Sequence, residues 1–345
     1  MHGFVRNLIT EWRRLALPFA DETVIVAVSG GADSVGLLLA IDDLRKRKKL
    51  DNRFVIAHFD HKLRHDSHTD LAFVRELTST YQFELAQGEW HSPQNKNLEQ
   101  SARNARYGFL YEVAEKLNAC FVLTAHTMND QAETVLMNLI RGSGPNGLGG
   151  MRPIRELSQD MESIDLISED EPFLPFLAPG VMLVRPLLTW AKRRETEGFC
   201  IENKVDFRRD PMNEDLNFKR VWVRKVLIPM LEEVNPKIVD TLCRSAELLQ
   251  PPATAANEIA VETNNDQALY VAELKTLHKA ELYSTLRTWL RQKRGNLRGL
   301  SLKHIESIEG LIHSRKSGRL AEIPGGAVVK GSGILEWRPL TVEKG

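Results

Sequence analysis

The stretch Val24 to Asp43, VIVAVSGGADSVGLLLAIDD, restricts the fold of this chain more than any other. Val24 to Val28 is an apolar, β-branched run without alternation, the pattern of a strand covered on both faces in a parallel sheet. Ser29-Gly30-Gly31 breaks that run with a turn in which the backbone can take positive φ and approach a ligand closely. Asp33-Ser34 then opens a helix continued by Leu37, Leu38 and Ile41. A strand, a glycine turn and a helix N-terminus leave several N–H groups aimed at one point, with the positive end of the helix dipole behind them, so the turn is an anion site. It is not a kinase-type phosphate loop, because Asp33-Ser34 stands where that pattern needs Lys-Ser or Lys-Thr.

The pattern around this unit repeats the theme. Met1 to Ala20 reads as a helix, with Phe4, Leu8, Trp12 and Leu15 at helical spacing. Phe54 to Ala57 reads as a second strand, Leu71 to Tyr81 and Ser101 to Leu117 as helices, Cys120 to Leu123 as a further strand, and a helix follows from Asn129. The basic run Arg45 to Lys49 suits the C-terminal end of the first sheet helix and needs no other role. Strands alternating with helices at this spacing predict an α/β fold with a doubly wound parallel sheet, whose ligand site lies at the carboxyl ends of the strands.

Three of those ends carry polar clusters. SGGADS is the first. The second is His58 to Arg64; its loop, with His58, His61, His65 and His68, lacks a clear carboxylate or thiolate set, so ligand-facing hydrogen-bonding groups are expected there rather than a metal centre. The third joins Thr124-Ala125-His126 to Asp130 and Glu133, which share one face at the start of a helix. Taken alone, such carboxylates can also be helix caps; at a strand mouth they can hold Mg²⁺ on a polyphosphate, receive an ammonium group or take its proton. Arg103 and Arg106 lie one helical turn apart and suit phosphate or carboxylate recognition, or else a solvated face. The glycines between Gly142 and Gly150 indicate a mobile or closely approached loop.

SGGADS in this setting resembles the SGGxDS signature of the PP-loop ATP pyrophosphatases. With AHFDHKLR, SARNARYGFL, TAHTMNDQAETVLMNLIRGSGPNGLGGM and RPLL in that order, spanning Val24 to Leu188, the chain resembles the tRNA(Ile)-lysidine synthetase family. The resemblance implies a PP-loop, adenine nucleotide alpha hydrolase-like domain over 1–188, a helical tRNA-contacting region over 189–250 and a small α+β tRNA-binding domain over 253–345. It implies ATP-dependent attachment of free L-lysine to C2 of the first anticodon cytidine of an isoleucine tRNA bearing CAU, through an adenylated base. Carried onto this sequence, Ser29, Gly30, Gly31, Ala32, Asp33 and Ser34 would hold ATP, and Asp33 a Mg²⁺ ion. Asp130 and Glu133 would recognise and deprotonate the lysine. Arg106, with Arg103, would bind phosphate or the lysine carboxylate, while Asp60, His61, Arg64 and His126 would meet the nucleotide or the flipped base.

The chain departs from the family at Met212, where Ser is usual, and at Val221, where Asn usually follows the arginine. Asp210, Asn213, Arg220 and Arg224 match. An acidic stretch at about 156–178 is longer than the family usually has; from Met151 to Gly180 there are two basic residues and seven acidic ones.

Composition narrows the alternatives. A length of 345 residues predicts two or three domains, and 46 basic residues balance 46 acidic ones, so nucleic acid must be met by local patches. One such patch runs from Glu281 to Leu320, with nine basic and three acidic residues. Cys120, Cys200 and Cys243 lie far apart without CxxC spacing, as expected of a reducing compartment and not of a structural zinc or cluster site. With no secretory signal and no apolar run long enough for a bilayer, a cytoplasmic protein without a membrane partner is expected. A homodimer is left open. The competing readings are another PP-loop enzyme, such as a tRNA thiolase or an amide-forming ligase, and a non-catalytic tRNA-binding protein on the same scaffold.

Overall fold

The computed structural model describes residues 1–62, 67–90, 98–157, 180–209, 214–250, 269–277, 279–294, 299–314, 316 and 318–339. They fall into two compact units. The first is built on a six-stranded sheet of order β3-β2-β1-β4-β6-β5, with β1 at Ala20–Ala27, β2 at Asp51–Asp60, β3 at Glu84–Glu89, β4 at Phe121–Leu123, β5 at Ile154–Leu157 and β6 at Val181–Val184. All neighbours run parallel except β5 against β6.

β1 lies between β2 and β4, so the chain goes one way from β1 to β3 and returns on the other side at β4. That reversal opens a crevice at the carboxyl end of β1. Val24, Ile25 and Val26 of β1, Val122 and Leu123 of β4, and Leu37 and Leu38 of helix α2 (Ala32–Lys46) have no exposed surface. Each such side chain contributes about 1.5–3 kcal/mol of burial. The loop between β1 and α2 is therefore carried on a fully buried part of the fold.

Helix α1 (Gly3–Arg14) buries Phe4, Leu8 and Trp12 as its spacing predicts, but it ends before the expected Ala20. Ala16 takes φ +51° and Pro18 follows, so the helix cannot continue and the chain enters β1 at Ala20. Helices α3 (His68–Thr80) and α4 (Leu98–Lys116) fall where the periodicity puts them, as does α5 (Met128–Ile140). A one-turn helix α6 (Pro145–Leu148) sits in the glycine loop. Three further strands, β3, β5 and β6, add to the sheet the sequence predicts. Most of the acidic stretch, 158–179, lies outside the described residues; its flanks are the antiparallel strands β5 and β6, with Leu157 opposite Val181.

The helices after β6 pack onto the same unit. Helix α7 (Arg193–Glu202) lies against α2, where a Cβ on Gly36 would meet Thr196 at 3.5 Å. Helix α8 (Lys219–Trp222) runs through a π-helical turn, Val223–Leu227, into α9 (Ile228–Val234), and α10 (Ile238–Leu249) follows. Val223, Ile228 and Val239 share a buried cluster with Met128, Ala132 and Leu136 of α5. Among the described residues no helix is long and apolar enough to cross a membrane.

The second unit is a four-stranded antiparallel sheet of order β7-β10-β9-β8 (Leu269–Tyr270, Ile334–Pro339, Gly326–Lys330, Leu320–Ile323) with helices Lys279–Arg294 and Leu302–His313. It is the small α+β body expected, closed around Leu286, Leu290, Ile305, Ile308, Ile312, Val328 and Leu335. Pro324-Gly325 makes the β8–β9 turn, with Gly325 at φ +85° as a turn of this kind requires.

Candidate active site

The crevice begins at the turn between β1 and α2. Gly30 takes φ +91°, and its carbonyl accepts from the Arg208 N–H at 2.9 Å. The Ser34 hydroxyl donates to the Gly31 carbonyl at 2.9 Å and accepts from the Ser29 N–H at 3.2 Å, so the turn is held in shape from within. Gly31 is the N-cap of α2 and brings no side chain to cap the helix. The first-turn N–H groups of Ala32, Asp33 and Ser34 thus face the crevice end of the dipole uncapped by the N-cap residue, as an anion cradle requires.

Asp33 projects from that first turn towards α7 and α5. Its carboxylate accepts a short hydrogen bond from the Thr196 hydroxyl and lies 3.7 Å from Nε of Arg193. Burial, then the neighbouring charge of Asp130, raises its pKa from 3.8 to about 6, against the pull of Arg193 and Thr196.

Asp130 and Glu133 of α5 share a face, as their spacing predicts. The Asp130 carboxylate accepts from the Thr127 N–H and hydroxyl, both at 2.9 Å, closing a capping box. The cap reading is therefore true of Asp130, and it leaves the other oxygen, Oδ1, facing Arg193 at 3.2 Å and Arg220 at 3.5 Å. Burial opposes the charge, yet Arg193, Arg220, His126 and the Thr127 N–H outweigh it and hold Asp130 well below the usual carboxylate range. Glu133 has no exposed surface; Arg220 Nε donates to it at 2.8 Å and Arg224 Nε at 2.7 Å, with Arg193 at 3.4 Å. Three carboxylates from α2 and α5 thus meet three guanidiniums from α7, α8 and the π-helical turn.

The other expected residues form the surroundings. His126 bonds through Nδ1 to the Thr124 hydroxyl at 2.9 Å, and burial together with Arg185 pushes its pKa well down, so the ring is neutral at physiological pH. Arg103 and Arg106 do not spread over a solvated face: their guanidinium carbons stand 5.2 and 4.9 Å from the ring of buried Tyr107, with Arg155 at 5.5 Å. Burial resists ionisation of that phenol, but Arg103, Arg106, Arg185 and Arg155 together pull its pKa down to about 6. Asp60 organises its own loop, accepting from the Lys62 N–H at 2.8 Å and the Ser67 hydroxyl at 3.0 Å, and His61 packs on Phe59 at 5.1 Å. Arg64, Asp210, Met212 and Asn213 lie outside the described residues.

The glycine loop after α5 is closely approached. Gln131 donates to the Met151 carbonyl at 3.0 Å and accepts from its N–H at 2.7 Å, Asn138 donates to the Gly147 carbonyl, and Gln250 of the α10 end donates to the Gly149 carbonyl at 2.8 Å. Among the described residues there is no group of three His, Cys, Asp or Glu side chains able to hold a metal ion.

Arg193, Thr196 and Tyr107 belong to this neighbourhood and have no place in the sequence reading. One signal for Arg193 exists. Arg193 and Arg194 occupy the first turn of α7, where the dipole disfavours cations, and the one carboxylate of that turn, Glu195, accepts from the Lys192 N–H instead.

The PP-loop domain family matches residues 5–231. A tRNA(Ile)-lysidine synthase from Synechocystis sp. is 31% identical over 318 residues, covering 90% of this chain and 89% of the relative. The chain belongs to the tRNA(Ile)-lysidine synthase family. Another member, from Dehalococcoides mccartyi, is 29% identical over 326 residues, covering 90% of this chain but 65% of the relative, so this chain spans less than two thirds of that protein. Among solved structures, the U34-tRNA thiolase NcsA from Methanococcus maripaludis, with its 4Fe–4S cluster, matches at a TM-score of 0.55 and 14% identity, over 72% of this chain and 80% of that one. At that identity the likeness concerns the fold alone, and it agrees with the PP-loop sheet described above.

Proposed function

We propose that this chain is an ATP-dependent ligase that joins lysine to C2 of the wobble cytidine of a CAU-anticodon isoleucine tRNA, releasing AMP and pyrophosphate. The observation that carries the reading is the meeting, in one crevice, of the SGGADS cradle with the Asp33, Asp130 and Glu133 carboxylates. A pyrimidine C2 oxygen is a poor leaving group. It attacks the α-phosphorus of ATP and expels pyrophosphate, and AMP leaves in turn as the lysine ε-amine attacks C2. The cytidine must leave the anticodon stack to reach the crevice.

The residues divide the work. The α2 N–H groups with Ser29 and Ser34 hold phosphate oxygens, and the arginines around Tyr107 supply positive potential for phosphate or the lysine carboxylate. A Mg²⁺ ion on the polyphosphate would take Asp33 as a protein ligand beside phosphate oxygens. The ion would offset charge on the polyphosphate. Asp130 receives the lysine ammonium. Glu133, buried with both oxygens engaged, acts by fixing Arg220 and Arg224, and Asp130 is the carboxylate with an oxygen turned to the crevice. A carboxylate held so far down is a weak base, so Asp130 binds and orients the ammonium rather than taking its proton.

The thiolase alternative gains nothing from the cysteines. Burial pushes the Cys200 and Cys243 thiols up to about 12, and both donate to helix carbonyls, of Ala32 and Met128. Incubation with labelled lysine, ATP and isoleucine tRNA, followed by nucleoside analysis, tests the proposal. Label in one modified cytidine is expected. AMP release that depends on sulfide or ammonia instead of lysine would overturn the reading.

A further inference from the structure

Arg193 differs from the other two arginines of the cluster in how it is held. Arg220 and Arg224 each make a bond of 2.7–2.8 Å to Glu133. Arg193 reaches all three carboxylates and grips none closely: 3.2 Å to Asp130, 3.4 Å to Glu133 and 3.7 Å to Asp33. Its backbone is fixed, because it lies in the first turn of α7 and its N–H donates to the Asn129 side chain at 2.9 Å. A guanidinium on a fixed base, shared among three anions on two helices, moves towards whichever side becomes more negative.

We propose that Arg193 is a positioning residue that couples the nucleotide cradle to the amine site, so that bound ATP strengthens the binding of lysine. This rests on the function proposed above. A triphosphate arriving at the α2 N-terminus adds negative charge on the Asp33 side of Arg193 and draws the guanidinium that way. Asp130 Oδ1 then loses its nearest cation and keeps only the more distant Arg220 at 3.5 Å and Arg224 at 4.0 Å, both of which are held at 2.7–2.8 Å by Glu133. The vacated place beside Asp130 takes the lysine ammonium. With no nucleotide present, Arg193 occupies that place itself and opposes the ammonium by like charge.

Calorimetric titration of the full chain tests this without turnover. Lysine is titrated with and without a saturating, Mg²⁺-loaded ATP analogue carrying a methylene bridge between the α and β phosphorus atoms. Lysine affinity is expected to rise at least about fivefold with the analogue bound, within the usual range of coupling between sites, and the analogue's affinity to rise by the same factor with lysine bound. In Arg193→Ala the two lysine affinities converge to within about twofold, with the nucleotide-free affinity increased. Arg193→Lys, whose compact ammonium cannot span Asp33 and Asp130 together, gives the same convergence and serves if the alanine variant does not fold. Undiminished coupling in a folded Arg193 variant, or none in the wild-type protein, would overturn the inference and leave the proposed reaction standing. Nucleotide binding with no lysine binding under any condition would overturn the reaction as well.

Discussion

Replacing Asp33 by Asn separates what that residue does for stability from what it does for chemistry, and the two effects run in opposite directions. In the folded chain its pKa is raised from 3.8 to about 6, chiefly by burial and then by Asp130. A raised carboxylate favours folding while it is protonated, so its contribution is fully present below the unfolded value and is lost as pH rises through the folded one. The full loss is about 3 kcal/mol at about 1.36 kcal/mol per pKa unit. About 1 kcal/mol of it is gone by pH 4.5 and nearly all of it by pH 8. An asparagine side chain mimics the protonated form at every pH and escapes the loss.

Urea or thermal unfolding of both proteins in EDTA, without nucleotide, reads the difference. At pH 8 the Asp33→Asn variant is expected to be more stable by about 3 kcal/mol, equivalent to roughly 6–12 °C in Tm for a unit of this size. The gap narrows by about 2 kcal/mol between pH 8 and pH 4.5. Adenylation falls by on the order of 10²-fold or more, since the variant cannot offer an anionic ligand to the ion on the polyphosphate. Coincident melting at pH 8, or a wild-type protein that gains on the variant as pH rises, would refute the placement of this carboxylate among buried like charges.

Three other substitutions probe the same geometry. Glu133→Gln leaves three arginines facing a neutral amide and should cost about 3–5 kcal/mol in urea unfolding, with lysine transfer lost. Asp130→Asn should be less stable than the wild type at pH 7. Asp130 is depressed in the fold, so its contribution is present above its ordinary value and fades as pH falls; melting curves of the two proteins should approach one another towards acid pH. Gly150→Ala puts a Cβ 2.8 Å from the Gln131 amide at a backbone φ of +66°, and thermal unfolding should show a loss of more than about 1 kcal/mol.

What could be read from the sequence is what is local in it. The Val24–Ala27 part of β1, the SGG turn and the start of α2 are contiguous, so burial pattern, glycine freedom and helix dipole all speak within twenty positions. Asp130 and Glu133 were legible as a pair because helical spacing alone puts them on one face. Their partners were not: Arg193, Arg220 and Arg224 come from 60 to 91 residues further along, and nothing near them in the sequence says which carboxylate they will meet. β3 was illegible for another reason. Half of its residues, Glu84–Glu89, are polar and none is fully buried, because an edge strand needs only half its surface covered.

Stability alone does not account for the cluster at the crevice. A buried ion pair is weak support for a fold, since an apolar replacement of similar volume is often as stable, and here Asp33 is held at a net cost. The arrangement makes sense as a receptor for two charged substrates of opposite sign. A polyphosphate needs guanidiniums and helix N–H groups at hand, an ammonium needs carboxylates, and side by side each set neutralises the other. On that account a substitution that merely preserves net charge, such as Arg193→Lys, should keep the chain folded and still uncouple the two substrates.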